Sequence, residues 1–284
     1  DDPAQSTHAA FLDYDRDGDL DLYLLNHPVR RYVGRSELDR ARDTDDPMAG
    51  DKLYRNDAGS DGSGAPTFVE VTAEAGIKSS ALGYGLSATV SDINRDGWPD
   101  LAVANDMERN LLFHNDGDGT FTEVGTRSGV AYDRLGRPRA GMGIDAGVVD
   151  TTGEVSLFVS NFSGQMVSVF RHVRNGLFED RADVSMIGRS SQATLGFGLF
   201  LFDVTLNGHL DLLVANGHVQ RRIEDFRDGV TYRQAPQLFL NQAGTGAFEE
   251  YEPADGVFTT PLVARGTAYG DVKVFRQDGG TGDA

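Results

Sequence analysis

Residues 13–21 read Asp-Tyr-Asp-Arg-Asp-Gly-Asp-Leu-Asp, and residues 92–100 return the same frame as Asp-Ile-Asn-Arg-Asp-Gly-Trp-Pro-Asp. Oxygen-bearing side chains stand at loop positions 1, 3, 5 and 9, with glycine at position 6. Carboxylates packed so closely repel one another unless a cation neutralises them. Hard oxygen ligands at alternating positions suit Ca²⁺, which takes about 6–8 oxygens at roughly 2.3–2.6 Å, and the glycine permits the sharp turn that folds them around one point. The loop is not an EF-hand, which closes with a glutamate at position 12 and enters a helix. Here position 12 is Leu24 or Val103. The flanks, Ala-Ala-Phe-Leu and Leu-Tyr-Leu-Leu in one copy, Ala-Thr-Val-Ser and Leu-Ala-Val-Ala in the other, read as strands. Each loop therefore closes a β-hairpin.

The frame recurs in weaker form, and the repeats set the fold. Aligned on the first loop aspartate, the copies start at Asp13, Asp92, Asp150, Asp203 and Asp271. A Gly-rich strand precedes the later loops: Leu-Gly-Tyr-Gly-Leu at 82–86, Gly-Met-Gly-Ile at 141–144, Leu-Gly-Phe-Gly-Leu at 195–199 and Arg-Gly-Thr-Ala-Tyr-Gly at 265–270. An apolar strand ending at Asn26, Asn105, Asn161 or Asn216 follows the first four, and a second hairpin comes after it. Asn115-Asp-Gly-Asp-Gly119 is one such hairpin turn. Each unit is thus four antiparallel strands, and such units repeated radially make an all-β propeller. The glycines belong to the crowded innermost strand. No helix follows any of them, which excludes a nucleotide loop. The expected blades are 6–77, 82–130, 139–187 and 194–258, with a partial fifth at 263–276, all within one domain spanning 1–284. Four to five blades make either a small propeller or part of a seven- or eight-bladed one.

Ser6–His27 and Leu195–His218 carry a resemblance to the FG-GAP/VCBS-repeat propellers, and more narrowly to their cartilage-acidic-protein-like (ASPIC/UnbV-associated) class. The resemblance implies a seven- or eight-bladed, Ca²⁺-stapled, extracytoplasmic propeller used for recognition or adhesion. The copies depart from the pattern unequally. Loop three, Asp150–Ser156, is two residues short and has lost most of its carboxylates. Loop four, 203–211, keeps the oxygens but only two charges, and the fifth copy has no ligand set.

The expected metal ligands are accordingly Asp13, Asp15, Asp17, Asp19 and Asp21 in the first loop and Asp92, Asn94, Asp96, Trp98 and Asp100 in the second. Asp19 and Trp98 contribute through the carbonyl at position 7. Asp203, Thr205, Asn207 and Asp211 form a weaker third candidate, since ligand charge tunes affinity. With all ligands on one hairpin and no base beside it, the metal role is structural.

A formal charge of −18, from 44 acidic and 26 basic residues, argues against nucleic acid, which requires a basic surface. No apolar run is long enough for a transmembrane helix, and the N-terminal Asp-Asp-Pro-Ala-Gln lacks signal-peptide character. There is no cysteine. Insertions at 28–50, 131–142 and 219–236 fall at the end opposite the metal loops and are rich in arginine. Arg30, Arg31, Arg35, Arg137, Arg139, Arg221 and Arg222 there define a candidate face for an acidic glycan or protein ligand, because long loops on a rigid scaffold carry function and guanidinium suits carboxylate or sulfate. The acids in 28–50 make internal ion pairing the competing reading. Ser36–Asp43 has the composition of a short capped helix.

Three functions remain open. The favoured one is a calcium-stabilised extracellular, periplasmic or cell-surface recognition, adhesion or assembly module without enzymatic activity. A second is a polysaccharide-acting enzyme, with Tyr132, Asp133, Arg137 and His218 as first suspects. A third is a subunit that polymerises through blade edges. His27, His114 and His218 lie at strand ends as loop or turn contacts, with no metal-ligand spacing, and the Asn161-Phe-Ser sequon follows a buried strand and is incidental.

Overall fold

The computed structural model describes residues 5–27, 50–57, 64–77 and 84–268. Asp271 and most of the partial fifth unit lie outside them, as do Arg30, Arg31, Arg35 and the 36–43 segment. The described chain folds into four four-stranded antiparallel sheets, each built from strands consecutive in sequence. The first contains β1 (Gln5–Leu12), β2 (Asp21–His27), β3 (Lys52–Asn56) and β4 (Phe68–Glu70). The second contains β5 (Gly85–Ser91), β6 (Asp100–Asn105), β7 (Leu111–Asn115) and β8 (Phe121–Glu123). The third is β9 (Gly141–Val148), β10 (Val155–Asn161), β11 (Ser168–Arg174) and β12 (Leu177–Asp180). The fourth is β13 (Gly196–Phe202), β14 (Asp211–Asn216), β15 (Gln237–Asn241) and β16 (Phe248–Glu250). First strands neighbour one another in order, β1 beside β5, β5 beside β9, β9 beside β13. These are successive blades of a β-propeller, with the first strand of each innermost.

The apolar pattern explains the stacking. Leu101 and Val103 of β6 face the first blade, packing with Tyr23, Leu25 and Leu53. Ala102 and Ala104, on the other face, pack with Leu157, Val159 and Phe170 of the third. Phe158 and Val169 then meet Leu212, Val214 and Phe239 of the fourth. Strands buried on both faces read as continuous apolar runs, as Leu101–Ala104 does. The core is therefore a series of slabs between blades.

All four inner strands carry a register shift at the same place, between Ser6 and His8, Gly85 and Ser87, Gly141 and Gly143, and Gly196 and Gly198. The pairing makes Gly85, Gly141 and Gly196 equivalent, each opposite the asparagine that ends the second strand. The look-alike pentapeptides at 82–86 and 195–199 are thus two residues out of register. The reason for glycine is also more specific than general crowding at the axis. A Cβ on Gly143 would run into the carbonyl of Phe197 on the next inner strand. A Cβ on Gly198 would come within 2.6 Å of the Thr267 nitrogen. That equivalence places 262–268 where a fifth inner strand belongs. Ala264 N–H donates to the Asn216 carbonyl at 3.1 Å, and the Arg265 guanidinium donates to the carbonyls of Gly217 and His218.

Short helical turns at Gly125–Ser128 and Met186–Ser190 fill the connections after β8 and β12. The second is capped by Ser185, whose hydroxyl accepts from Gly188 N at 2.9 Å. Sequence reading gave these segments no helix, as such short turns leave no periodic signal.

Candidate metal centres

The first, second and fourth loops share one backbone. Position 4 is left-handed in each, at Arg16 (φ 59°), Arg95 (φ 63°) and Leu206 (φ 56°). Position 6 is a glycine at φ 96°, 92° and 85°. Two left-handed residues around position 5 curl the chain back on itself. Short Asx turns hold the curl. Asp15, Asp17, Asn94, Asp96 and Asn207 each accept a hydrogen bond from the backbone two residues on, at 2.8–3.4 Å.

The position-9 aspartates, Asp21, Asp100 and Asp211, are buried in the blade. One oxygen accepts from the backbone N–H at position 2 (Tyr14, Ile93 or Val204, at 2.9–3.2 Å). The other accepts from the asparagine that ends the third strand (Asn56, Asn115 or Asn241, at 2.8–2.9 Å). These carboxylates therefore splice loop to sheet, and Asp21 also lies beside Asp13 and Asp15. Burial pushes the carboxyls of Asp21 and Asp100 up to about 6, against the pull of those hydrogen bonds. Asp15 is raised as well, first by burial and then by the charge on Asp17.

Position 1 separates the loops. Oδ2 of Asp13 and of Asp92 accepts from the glycine N–H at position 6, at 3.3 and 2.9 Å. Oδ1 of each is buried with no partner. A buried carboxylate oxygen without a donor is costly, and a cation at the loop centre would satisfy it. Asp203 differs, with both oxygens accepting from backbone, Asn207 at 3.0 Å and Gly208 at 2.6 Å. Among the described residues, Asp13, Asp15 and Asp21 can bring oxygens within 4.8 Å of one another. The donor set is all oxygen with a carboxylate majority, which fits Ca²⁺. Thr205 is exposed on the fourth loop.

The third loop has a different solution. Asp150 forms an ion pair with Arg171 of β11, and Ser156 stands at the position of the splicing aspartate. The pairing corrects the sequence alignment: the loop spans 148–156 and is not short, with Val148 at position 1, Asp150 at position 3 and Gly153 (φ 75°) at position 6. Its two carboxylates both meet cations, Asp150 the guanidinium of Arg171 from its own blade and Glu154 that of Arg95 from the second loop. Two further arginines link neighbouring loops. Arg16 lies over the Trp98 ring, 4.5 Å from its centroid, and Arg95 reaches Glu154 at 3.4 Å. None of these contacts is legible in sequence, because each joins residues that only blade stacking brings together.

At the opposite end the arginines are largely spent on acids. Arg137 pairs with Asp133 at 2.9 Å, Arg139 with Asp180 at 3.2 Å, and Arg222 bonds Asp225 at 2.6 Å, while Arg221 is exposed. Burial raises the Asp133 carboxyl, and hydrogen bonds from Arg137 and Leu135 override it, holding it below its ordinary range. It closes the 133–137 turn and is a poor base. His218 is buried, with Nε2 3.3 Å from Ser163 Oγ. Its Nδ1 accepts from Gln220 N–H at 3.0 Å, so the proton of the neutral ring sits on Nε2 and faces the serine. That tautomer cannot take a proton from Ser163. Asn161 is buried, and its amide donates to the Met166 carbonyl at 2.7 Å, leaving the sequon inaccessible in the fold.

Residues 92–154, from the first aspartate of the second loop into the third loop, match the family model of the FG-GAP-like repeat. Among solved structures, the chain is similar to a lectin of Agrocybe aegerita described for specific recognition of non-reducing terminal N-acetylglucosamine. The identity is 17%, the match covers 86% of this chain and 51% of that one, and the TM-score is 0.47. The chain spans about half the length of that structure. No curated protein matches.

Proposed function

We propose that this chain is a calcium-stapled propeller of the FG-GAP-like type, serving as a non-enzymatic recognition or adhesion module outside the cytoplasm. The unpartnered buried oxygens of Asp13 and Asp92 carry the metal half of the reading. In the first loop, Asp13, Asp15, Asp17 and Asp21 hold Ca²⁺ with the Asp19 carbonyl. In the second, Asp92, Asn94, Asp96 and Asp100 do so with the Trp98 carbonyl. The bound ion would supply positive charge at the loop centre and fix the hairpin that joins the two inner strands of the blade. Loops of this kind fill at the free calcium levels found outside cells, where extracellular modules bind at about 10⁻⁴–10⁻³ M. The fourth loop, with Asp203 satisfied by backbone, binds more weakly.

The tautomer of His218 and the engagement of Asp133 favour recognition over catalysis. Recognition falls to the end opposite the metal loops, where the three insertions begin, and its ligand is a protein or glycan surface; with Arg137, Arg139 and Arg222 paired to acids, Arg221 is the described candidate left to meet an acidic group. Residues 1–284 make one propeller domain, and the cartilage-acidic-protein-like class is the narrower assignment. Titration calorimetry with Ca²⁺, followed by melting in Ca²⁺ and in chelator, tests the metal half. Two strong sites and a higher melting temperature in calcium are expected, and an unchanged melt sinks it. A glycan array comparing acidic with neutral sugars, run beside a reducing-end assay, separates binding from cleavage.

A further inference from the structure

We infer that Arg16 is a positioning residue that couples the first two calcium loops, so that filling the first raises the affinity of the second. The inference rests on the metal reading above and concerns how the two sites communicate.

Three observations place Arg16. It sits at position 4 of the first loop in the left-handed conformation, φ 59°, which the curl of that loop imposes. Its guanidinium lies over the indole of Trp98, 4.5 Å from the ring centroid. It also borders Gly97, where an added Cβ would come within 3.2 Å of its Nη2. Surrounded by aspartates, Arg16 makes no ion pair among the described residues and spends its cation on an aromatic face. Trp98 is position 7 of the second loop, the residue whose carbonyl would serve as a ligand to the metal. Its indole also borders the β7–β8 turn, where a Cβ on Gly117 would stand 2.8 Å from Nε1. Trp98 is therefore clamped between its own blade and the neighbouring loop.

The backbone angle of Arg16 is set inside the first loop, and the placement of a ligand of the second loop depends on its side chain. Calcium in the first loop fixes that angle and holds the guanidinium over Trp98, which aligns the 98 carbonyl. By linkage the effect is reciprocal. An exposed cation–π contact of this kind corresponds to about a two- to fivefold change in affinity.

Trp98 is the sole tryptophan, so its emission reports the second loop directly. The experiment titrates Ca²⁺ into the full chain, reading Trp98 fluorescence for the second loop and calorimetry for total stoichiometry. The set is the unaltered chain, Asp13→Asn, Arg16→Ala, Arg16→Lys and the Asp13→Asn/Arg16→Ala pair. Asp13→Asn and Arg16→Ala are each expected to shift the fluorescence midpoint about two- to fivefold to higher calcium, and the pair no further than either alone. Arg16→Lys, which keeps a cation near the ring, is expected to recover part of the loss. With both sites filling by calorimetry, an unmoved midpoint in Arg16→Ala, or additive shifts in the pair, overturns the coupling and leaves the metal reading intact. Absence of calcium heat in the unaltered chain overturns the metal reading itself, and the coupling with it.

Discussion

The first position sets the full-strength loops apart from the fourth. Asp13 and Asp92 each leave one buried oxygen unpaired, whereas both oxygens of Asp203 accept from backbone. Asp13→Asn and Asp92→Asn should each lower calcium stoichiometry by one in calorimetry and remove that site's share of the calcium-dependent stabilisation. That share is about 2.7 kcal/mol at a hundredfold excess over Kd. The titration of Asp51 gives a test independent of the metal. Burial pushes its carboxyl up to about 6, while Asn26 N–H at 3.0 Å and the Tyr23 hydroxyl at 2.7 Å donate to it. A carboxyl raised in the folded state lends stability below its unfolded pKa and loses it as pH rises through the folded value. Melting in chelator should therefore show stability falling between about pH 4 and pH 6, with about 3 kcal/mol of the fall due to Asp51 for a two-unit shift. In Asp51→Asn the slope should be shallower by that share, the remainder coming from Asp21 and Asp100, which are raised to about 6 as well; a slope equal to that of the unaltered chain sinks the assignment. The aspartate frame that suggested the sites was visible in the sequence, but the one unpaired oxygen per loop was not, because backbone N–H directions follow from the left-handed turns.

At the scale of the strand and hairpin, the splicing aspartates matter more than their ligand role suggests. Asp100 takes a hydrogen bond from Ile93 at 2.9 Å and another from Asn115 at 2.9 Å, joining loop, second strand and third strand. Asp100→Ala strands two buried donors, at about 1–3 kcal/mol each. Its melting temperature should be lowered in chelator as well as in calcium. A variant destabilised only in calcium would show that Asp100 is a ligand and nothing more. The inner strands make the complementary case. Gly143→Ala drives a methyl into the Phe197 carbonyl and should cost about 1–3 kcal/mol with calcium binding retained. The Gly-x-Gly pattern was legible as an inner strand. Its register was not, because the bulge that skips Leu86, Met142 and Phe197 is a property of the pairing with the second strand.

Across the whole molecule the blades are joined by side chains that cross from one to the next. Asn115 donates to the Tyr14 carbonyl at 2.8 Å, and Asn241 to that of Val149 at 2.8 Å. Asp145 accepts from Thr89 at 3.2 Å on one side and from Leu201 N at 2.8 Å on the other. Against these links the metal dependence is uneven, since the third loop carries its own cation in Arg171. Hydrogen exchange should therefore lose protection on chelation around 13–26 and 92–105, with 150–174 little changed. Equal loss in all three would mean that Arg171 does not replace a metal. Arg171→Met should lower stability by about 1–3 kcal/mol without rescue by calcium, as the half-buried Asp150 loses its partner. The sequence by itself determined the four-stranded repeat, the hairpin loops and the oxygen frame, because these arise from local periodicity and from spacing within nine residues. Which glycines align, which arginines are free, and where Arg16, Arg95 and Arg171 spend their charge were decided only when the blades stacked. Each of those contacts joins residues far apart in the chain whose meeting depends on the slab of apolar side chains between neighbouring sheets.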